Sequence, residues 1–221
     1  MTDNSEPLVI VTQQDHAALL TLSRPAKKNA MSDGLLEELI AALRKVGSDD
    51  DVRAIIICGA GSCFTSGRDT SEFEENALLQ DMSVDKAVDI FLEALTLLIE
   101  SPKPTIASIH GMALGGGQAM SLACDFVVAE RDARFGNVEM AYGFPAAMNI
   151  ALLTRHVGRR IGLEIAMTGD LYSAGQYHQF GLINRLADPG ALESETRIFV
   201  KTLTDRAPWA IKRTKSTYRL A

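Results

Sequence analysis

Apolar residues gather along the chain into short clusters separated by polar turns and glycines, and their spacing separates strands from helices. Leu8–Val11 and Ala17–Leu22 read as two strands of a hairpin joined by the polar Thr12–His16 turn. Ser32 then stands as an N-cap. Leu35, Leu36, Leu39, Ile40, Leu43 and Val46 share one stripe of the helix it opens, which runs through Val46. Arg53–Cys58 is apolar at successive positions, as expected of a strand covered on both faces. The glycine-punctuated loop Gly59–Asp69 follows it. Val84–Glu100 repeats the amphipathic helical spacing, and Pro102 and Pro104 end it. Thr105–Ile109 reads as a second buried strand, His110–Gly117 as a glycine-rich turn, Gln118–Ala123 as a helix and Phe126–Ala129 as another strand. Ser173 and Gln176 have capping-box spacing, so a helix is expected from near Ala174, closed by Gly181 ahead of a strand at Leu182–Leu186. Strand, glycine loop and helix thus recur at 53–79 and 105–123, the pattern of an α/β protein with a predominantly parallel sheet.

Composition narrows the function classes. A chain of 221 residues with 47% hydrophobic residues buries a substantial core and is not disordered. Its 28 acidic residues against 22 basic ones argue against nucleic acid as a partner, because phosphate neutralisation needs a basic face. Cys58, Cys63 and Cys124 form no CxxC pair, and the four histidines are scattered, so no metal-ligand spacing emerges. No apolar run approaches the roughly 18 residues that span a bilayer, and MTDNSEPL lacks the apolar core of a signal peptide. A soluble, cytoplasmic protein without membrane or nucleic-acid partners is the expectation.

The two glycine loops carry the candidate chemistry. Glycines let the backbone approach a ligand closely, and a helix N-terminus adds unpartnered N–H donors with a dipole that favours negative charge. Gly115–Gly117 suits a phosphate or an oxyanion; the same residues also suit a tight packing turn. Neither the G-x-G-x-x-G dinucleotide fingerprint nor G-x-x-x-x-G-K-[ST] is present.

In order and spacing, Leu22–Ser32 (LSRPAKKNAMS), Cys63–Phe73 (CFTSGRDTSEF), Pro104–Glu130, Ala133–Pro145 (ARFGNVEMAYGFP) and Thr168–Leu186 resemble the enoyl-CoA hydratase/isomerase, or crotonase, superfamily, from about Leu8 to Arg219. The resemblance implies a spiral of repeated ββα units over 1–190 with a short C-terminal helical region at 191–221, shorter than is usual in the family. It implies homotrimers or dimers of trimers, and an acyl-CoA thioester as substrate, with coenzyme A part of that substrate and no separate cofactor or metal. The shared chemistry is stabilisation of a thioester enolate by two backbone N–H groups. Carried over by position, these belong to Arg68, after Ser66 and Gly67, and to Gly116, between Gly115 and Gly117. Only the N–H of Arg68 is required, so its side chain reads as a solvated surface arginine. Ala26, Lys27 and Lys28 are expected beside the coenzyme, the lysines facing phosphates, with the 65–69 loop and Asp69 completing that region.

Hydratases of the family flank a bound water with two glutamates. The corresponding positions here are Ala119 and, twenty residues on, Glu139. Hydration needs two positioned groups, whereas one carboxylate can remove a proton from one carbon and return it two atoms away. The resemblance therefore favours a Δ3–Δ2-enoyl-CoA isomerase with Glu139 as proton shuttle. The alternatives are a hydratase or related thioester hydrolase that positions water differently, and a non-catalytic acyl-CoA-binding subunit. Gly143–Asn149 departs from the hydratase pattern, with bulkier residues and one fewer position. Gln118, Tyr142 and Asn149 read as core or surface hydrogen-bonding residues, and His110 as structural.

Overall fold

The computed structural model describes residues 6–69, 71 and 86–218, the side chains of 86–89 excepted. Its largest sheet has the order β1 (Val9–Gln14), β2 (Ala17–Leu22), β3 (Ala54–Gly59), β4 (Thr105–Ile109), β6 (Phe126–Glu130), β9 (Arg185–Ala187). Only the β1–β2 pair is antiparallel. A second sheet joins β5 (Met112–Leu114), β7 (Arg134–Gly136) and β8 (Tyr172–Ser173), and Thr65 extends it by a bridge to Ala113. Successive turns of the chain thus give one strand to each sheet: β4 then β5, β6 then β7. This is the ββα spiral expected of the crotonase fold.

Alternating burial explains the layers. Leu20, Ile55, Ile57, Ala107 and Ile109 face α1 (Asp33–Ser48), α2 (Lys86–Glu100) and α3 (Gly116–Ala123) in the main core. Ala54, Ile56, Ile106 and Val128 face the other way and pack with Leu192 and Val200 of α7 (Leu192–Thr204). Because β3 is covered on both sides, its residues show no apolar–polar alternation. The apolar stripe of α1 is buried as its spacing requires, each fully buried Leu contributing about 1.5–3 kcal/mol, and Ser32 Oγ caps the helix by accepting from Leu35 N–H.

Four elements differ from expectation. The hairpin turn is tighter: β1 continues to Gln14, and Asp15 and His16 form a two-residue turn with φ +50° and +64°. Polar Thr12–Gln14 stay in the strand because this edge faces solvent. The glycine-rich turn contains β5, and α3 starts two residues early, at Gly116. The last strand is Arg185–Ala187; Leu182 and Ile183 are buried by the turn ahead of it. The expected helix running to residue 79 and the start of the next helix at Val84 lie outside the described residues. Between β8 and β9, α6 (Ala174–Gln179) carries the complete capping box at Ser173 and Gln176. The chain continues beyond α7 into α8 (Pro208–Tyr218).

Candidate active site

The two glycine loops meet where β3 and β4 end. Gly67 C=O accepts from Met31 N–H at 2.8 Å, and Asp69 N–H donates to Met31 C=O at 3.0 Å. This bridge turns the intervening Arg68 N–H away from Met31. A Cβ on Gly67, whose φ is +106°, would lie 2.8 Å from Leu114 O and 3.4 Å from Gly116 N, so the loops touch backbone to backbone. A side chain at 67 would separate them. Gly116 is the first residue of α3, and its N–H has no acceptor within the helix. Gly117 follows in the same turn, against Thr65. The structure therefore brings together Ser66, Gly67, Arg68 and Gly115–Gly117.

Gly115 joins this junction to Glu139. Its N–H donates to Gly136 O at 2.8 Å, and its φ of +51° and ψ of −117° suit glycine alone. A Cβ there would lie 2.8 Å from Glu139 Oε2 and 3.5 Å from Oε1. Glu139 sits in a short 3₁₀ turn, Val138–Tyr142. Its Oε1 accepts from Asn149 Nδ2 at 3.1 Å, and its buried Oε2 has no hydrogen-bond partner among the described residues. Burial pushes its pKa above the ordinary glutamate value, while hydrogen bonds from its own backbone and from Asn149 act against the shift. A half-buried carboxylate with a raised pKa is suited to exchanging protons near neutral pH.

Ala119, where the resemblance puts the first acid of hydratases, is fully buried in the main core. The neighbouring Gln118 is buried too, and it belongs to a polar network that sequence reasoning missed. Tyr177 O–H donates to Gln118 Oε1 at 2.5 Å, and Gln118 Nε2 donates to Asn137 Oδ1 at 3.0 Å and Asn149 Oδ1 at 3.3 Å. Asn149 Nδ2 then reaches Gly115 O at 3.0 Å as well as Glu139. Tyr142, by contrast, is 77% exposed.

The remaining expected residues divide. Ala26, Lys27 and Lys28 are exposed on a 3₁₀ turn beside the first loop, where Lys28 C=O accepts from Ser66 N–H at 3.0 Å. This places an open basic rim next to the junction. The Arg68 side chain is not solvated as expected: it is only 12% exposed, its guanidinium pairing with Asp33 at 2.7 Å and donating to Met31 O at 2.9 Å. Asp33, the first residue of α1, supplies the carboxylate, and Met31, just ahead of the Ser32 cap, supplies the carbonyl, which together draw it inward. Asp69 pairs with Arg24 at 2.9 Å, and its carboxyl is held below the ordinary range by Ser71 first and then Arg24. It braces the loop. Asn29, fully buried, staples the same loop by donating its amide to Ala60 O and Cys63 O, both at 2.8 Å. His110 binds Gly61 O at 3.0 Å, a structural role.

A cleft of about 1090 Å³ lies elsewhere, between the outer sheet face and α7, lined among others by His16, Arg53, Ser108 and Arg197. It includes none of Arg68, Gly116 or Glu139. Chemistry rather than volume marks the active site.

Comparison with known proteins agrees with this geometry. The profile described as "Enoyl-CoA hydratase/isomerase" matches residues 12–221. A putative enoyl-CoA hydratase of Thermus thermophilus is 31% identical over 213 residues, covering 94% of this chain and 82% of that protein. 4-Chlorobenzoyl coenzyme A dehalogenase-1 of an Arthrobacter species is 34% identical over 196 residues, covering 88% and 71%. The crystal structure of an enoyl-CoA hydratase from Mycobacterium smegmatis superposes with a TM-score of 0.91 at 30% identity, covering 97% of this chain and 83% of that one. With its ββα spiral, paired glycine loops and a profile match over nearly its whole length, the chain belongs to the enoyl-CoA hydratase/isomerase family.

Proposed function

We propose that this acyl-CoA enzyme is a Δ3–Δ2-enoyl-CoA isomerase in which Glu139 is the proton shuttle. The observation that carries the reading is Ala119: the position of the first hydratase acid is an alanine sealed in the core, while Glu139 lies against Gly115. The thioester oxygen sits between Arg68 N–H and Gly116 N–H, which stabilise the negative charge that develops there. Glu139 removes a proton from C2 of a 3-enoyl-CoA; the electrons pass through the dienolate, and the same carboxyl returns the proton to C4. Its raised pKa keeps both transfers close to balance. Ala26, Lys27 and Lys28 flank the coenzyme, with the lysines beside its phosphates. Assembly as a homotrimer or a dimer of trimers completes the reading.

Hydration is the second reading, favoured by the names of relatives such as the Thermus thermophilus protein. The two separate in one assay. Purified protein given 3-hexenoyl-CoA is expected to generate conjugated 2-hexenoyl-CoA absorbance, and Glu139→Gln to lower kcat by about 10³-fold or more. Equal rates for wild type and variant would end the shuttle assignment. Hydration of crotonyl-CoA at a rate matching isomerisation would transfer the assignment to hydratase. Tight acyl-CoA binding with no turnover would mark a binding subunit.

A further inference from the structure

The Tyr177–Gln118–Asn149 network reaches Glu139 from a direction the mechanism does not use. Its residues come from three helices: Gln118 from α3, Asn149 from α4 (Ala147–His156) and Tyr177 from α6. All three are essentially buried, at 0%, 2% and 1% exposure. A buried amide has a carbonyl and an NH₂ end of nearly the same shape, and its neighbours decide which way it points. Here the order is set from one end. The Tyr177 hydroxyl donates to Gln118 Oε1, which turns Gln118 Nε2 towards Asn137 and Asn149. Asn149 must answer with Oδ1, and its Nδ2 is left facing Gly115 O and Glu139 Oε1.

We propose that Asn149 is the positioning residue of Glu139, and that Tyr177, acting through Gln118, fixes the amide so that Oε1 is held and Oε2 is left to carry the mobile proton. The distances support this division of the carboxylate. Asn149 Nδ2 holds Oε1 and Gly115 O at once, tying the carboxylate to the glycine turn that opens α3. Oε2 is the oxygen closest to the place a Gly115 side chain would fill, and it is buried without a protein partner among the described residues. A donor on Oε1 stabilises the carboxylate form and opposes the effect of burial. Among the described residues, the polar groups that reach Glu139 are the Gly115 backbone, the Asn149 amide and the backbone of its own 3₁₀ turn. Burial therefore raises its pKa and these neutral dipoles limit the rise, no charged side chain entering among the causes of the shift. The nearby Arg68 guanidinium is committed to Asp33.

This positioning role rests on Glu139 being the shuttle, yet it can be read without turnover. Carboxyl-¹³C-glutamate labelling, with Glu139→Gln to assign the resonance, gives the Glu139 titration midpoint by NMR in wild type, Asn149→Ala, Tyr177→Phe and the double variant. Asn149→Ala is expected to raise the midpoint by about one pH unit, the weight of one hydrogen bond to a charged group. Tyr177→Phe is expected to raise it by less, though its hydroxyl never touches Glu139. The double variant is expected to match Asn149→Ala, since both changes act along one line. With 3-hexenoyl-CoA, kcat is expected to fall about 10- to 100-fold in Asn149→Ala and a few-fold in Tyr177→Phe, with KM nearly constant. If Asn149→Ala does not fold, the isosteric Tyr177→Phe carries the same test. An unchanged midpoint in Asn149→Ala would overturn the positioning role, and additive shifts in the double variant would overturn the relay from Tyr177. Shifted midpoints in a protein whose wild type isomerises nothing would sink the isomerase reading and leave the positioning intact.

Discussion

Glu139 shows how burial alone can prepare one carboxyl group for two jobs. Desolvation raises its pKa, and the Asn149 donor limits the rise. For an acid whose folded-state pKa lies above its unfolded value, folding takes up a proton. Its favourable contribution is complete at low pH and is lost as pH climbs from the ordinary glutamate value through the raised one. Glu139→Gln mimics the protonated form permanently. The variant is therefore expected to melt at a higher temperature than wild type at pH 7–8, with the gap closing below about pH 4.5, the ordinary glutamate value. Thermal unfolding at several pH values checks this. A variant less stable than wild type throughout would mean that the carboxylate is a stabilising partner rather than a desolvated charge. In activity the sign reverses. With the carboxylate as the proposed base, kcat/KM is expected to fall as acid protonates it, with the acid limb displaced above the usual glutamate range. Stability and catalysis pull this residue in opposite directions, as is common at active sites.

The elements that build the site are short, and this decided what the sequence could reveal. Signals written locally were legible: the stripe of α1, the apolar run of β3 and the capping box of α6 each lie within one short stretch of chain. Strands β5, β7 and β8 have two or three residues each and no period to detect. They exist because neighbouring turns of the spiral supply partners, which only the folded chain provides. The same holds in the site. Gly115, Gly116 and Glu139 were singled out through the family resemblance of one continuous stretch of chain, whereas Tyr177 meets Gln118 across 59 positions. The inward turn of Arg68 depends likewise on Asp33, 35 positions away. What the elements contribute can be tested at their closest approach. Gly67→Ala places a methyl 2.8 Å from Leu114 O in a backbone conformation that L side chains rarely adopt. The first loop must then move off α3, taking Arg68 N–H away from Gly116 N–H. The expected outcome is a fall in kcat of about 10²–10³-fold, the usual effect of losing one oxyanion donor. Acyl-CoA binding, followed by fluorescence titration, is expected to weaken much less. A variant with wild-type kcat would show that the two N–H groups do not act together.

At the scale of the whole molecule, α8 is joined to the candidate site through intermediaries. Lys215 Nζ donates to Asp125 Oδ2 at 2.6 Å and to Lys103 O at 3.1 Å, beside the C-terminal end of α2. Asp125 Oδ2 also accepts from Thr105 N–H at 2.8 Å, locking the start of β4 to the turn ahead of β6. In turn, α2 leans on the glycine turn that opens α3: a Cβ on Gly116 would lie 3.3 Å from Phe91 Cζ. One partly buried ion pair therefore joins the last helix, the central strands and the helix behind the glycine turn. Lys215 is 10% exposed and Asp125 24%, so water screens the pair only partly. Removing one member of a buried pair costs about 3–5 kcal/mol, and partial exposure reduces the expectation for Lys215→Met to about 2 kcal/mol. For a chain of this size that corresponds to a melting temperature lower by about 4–8 °C. The double variant Lys215→Met/Asp125→Asn is expected to recover part of the loss, because the orphaned carboxylate is then neutral and still able to accept from Thr105. Well below the transition, the proposed isomerase activity should persist, since Asp125, Thr105 and the Lys103 and Leu98 carbonyls, which bind this pair, are not among the proposed site residues. Scanning calorimetry of the two variants separates the outcomes. A Lys215→Met protein that melts with wild type would show that α8 rides on the surface without holding the spiral. A loss with no recovery in the double variant would place the cost in the buried lysine stem rather than in the charge.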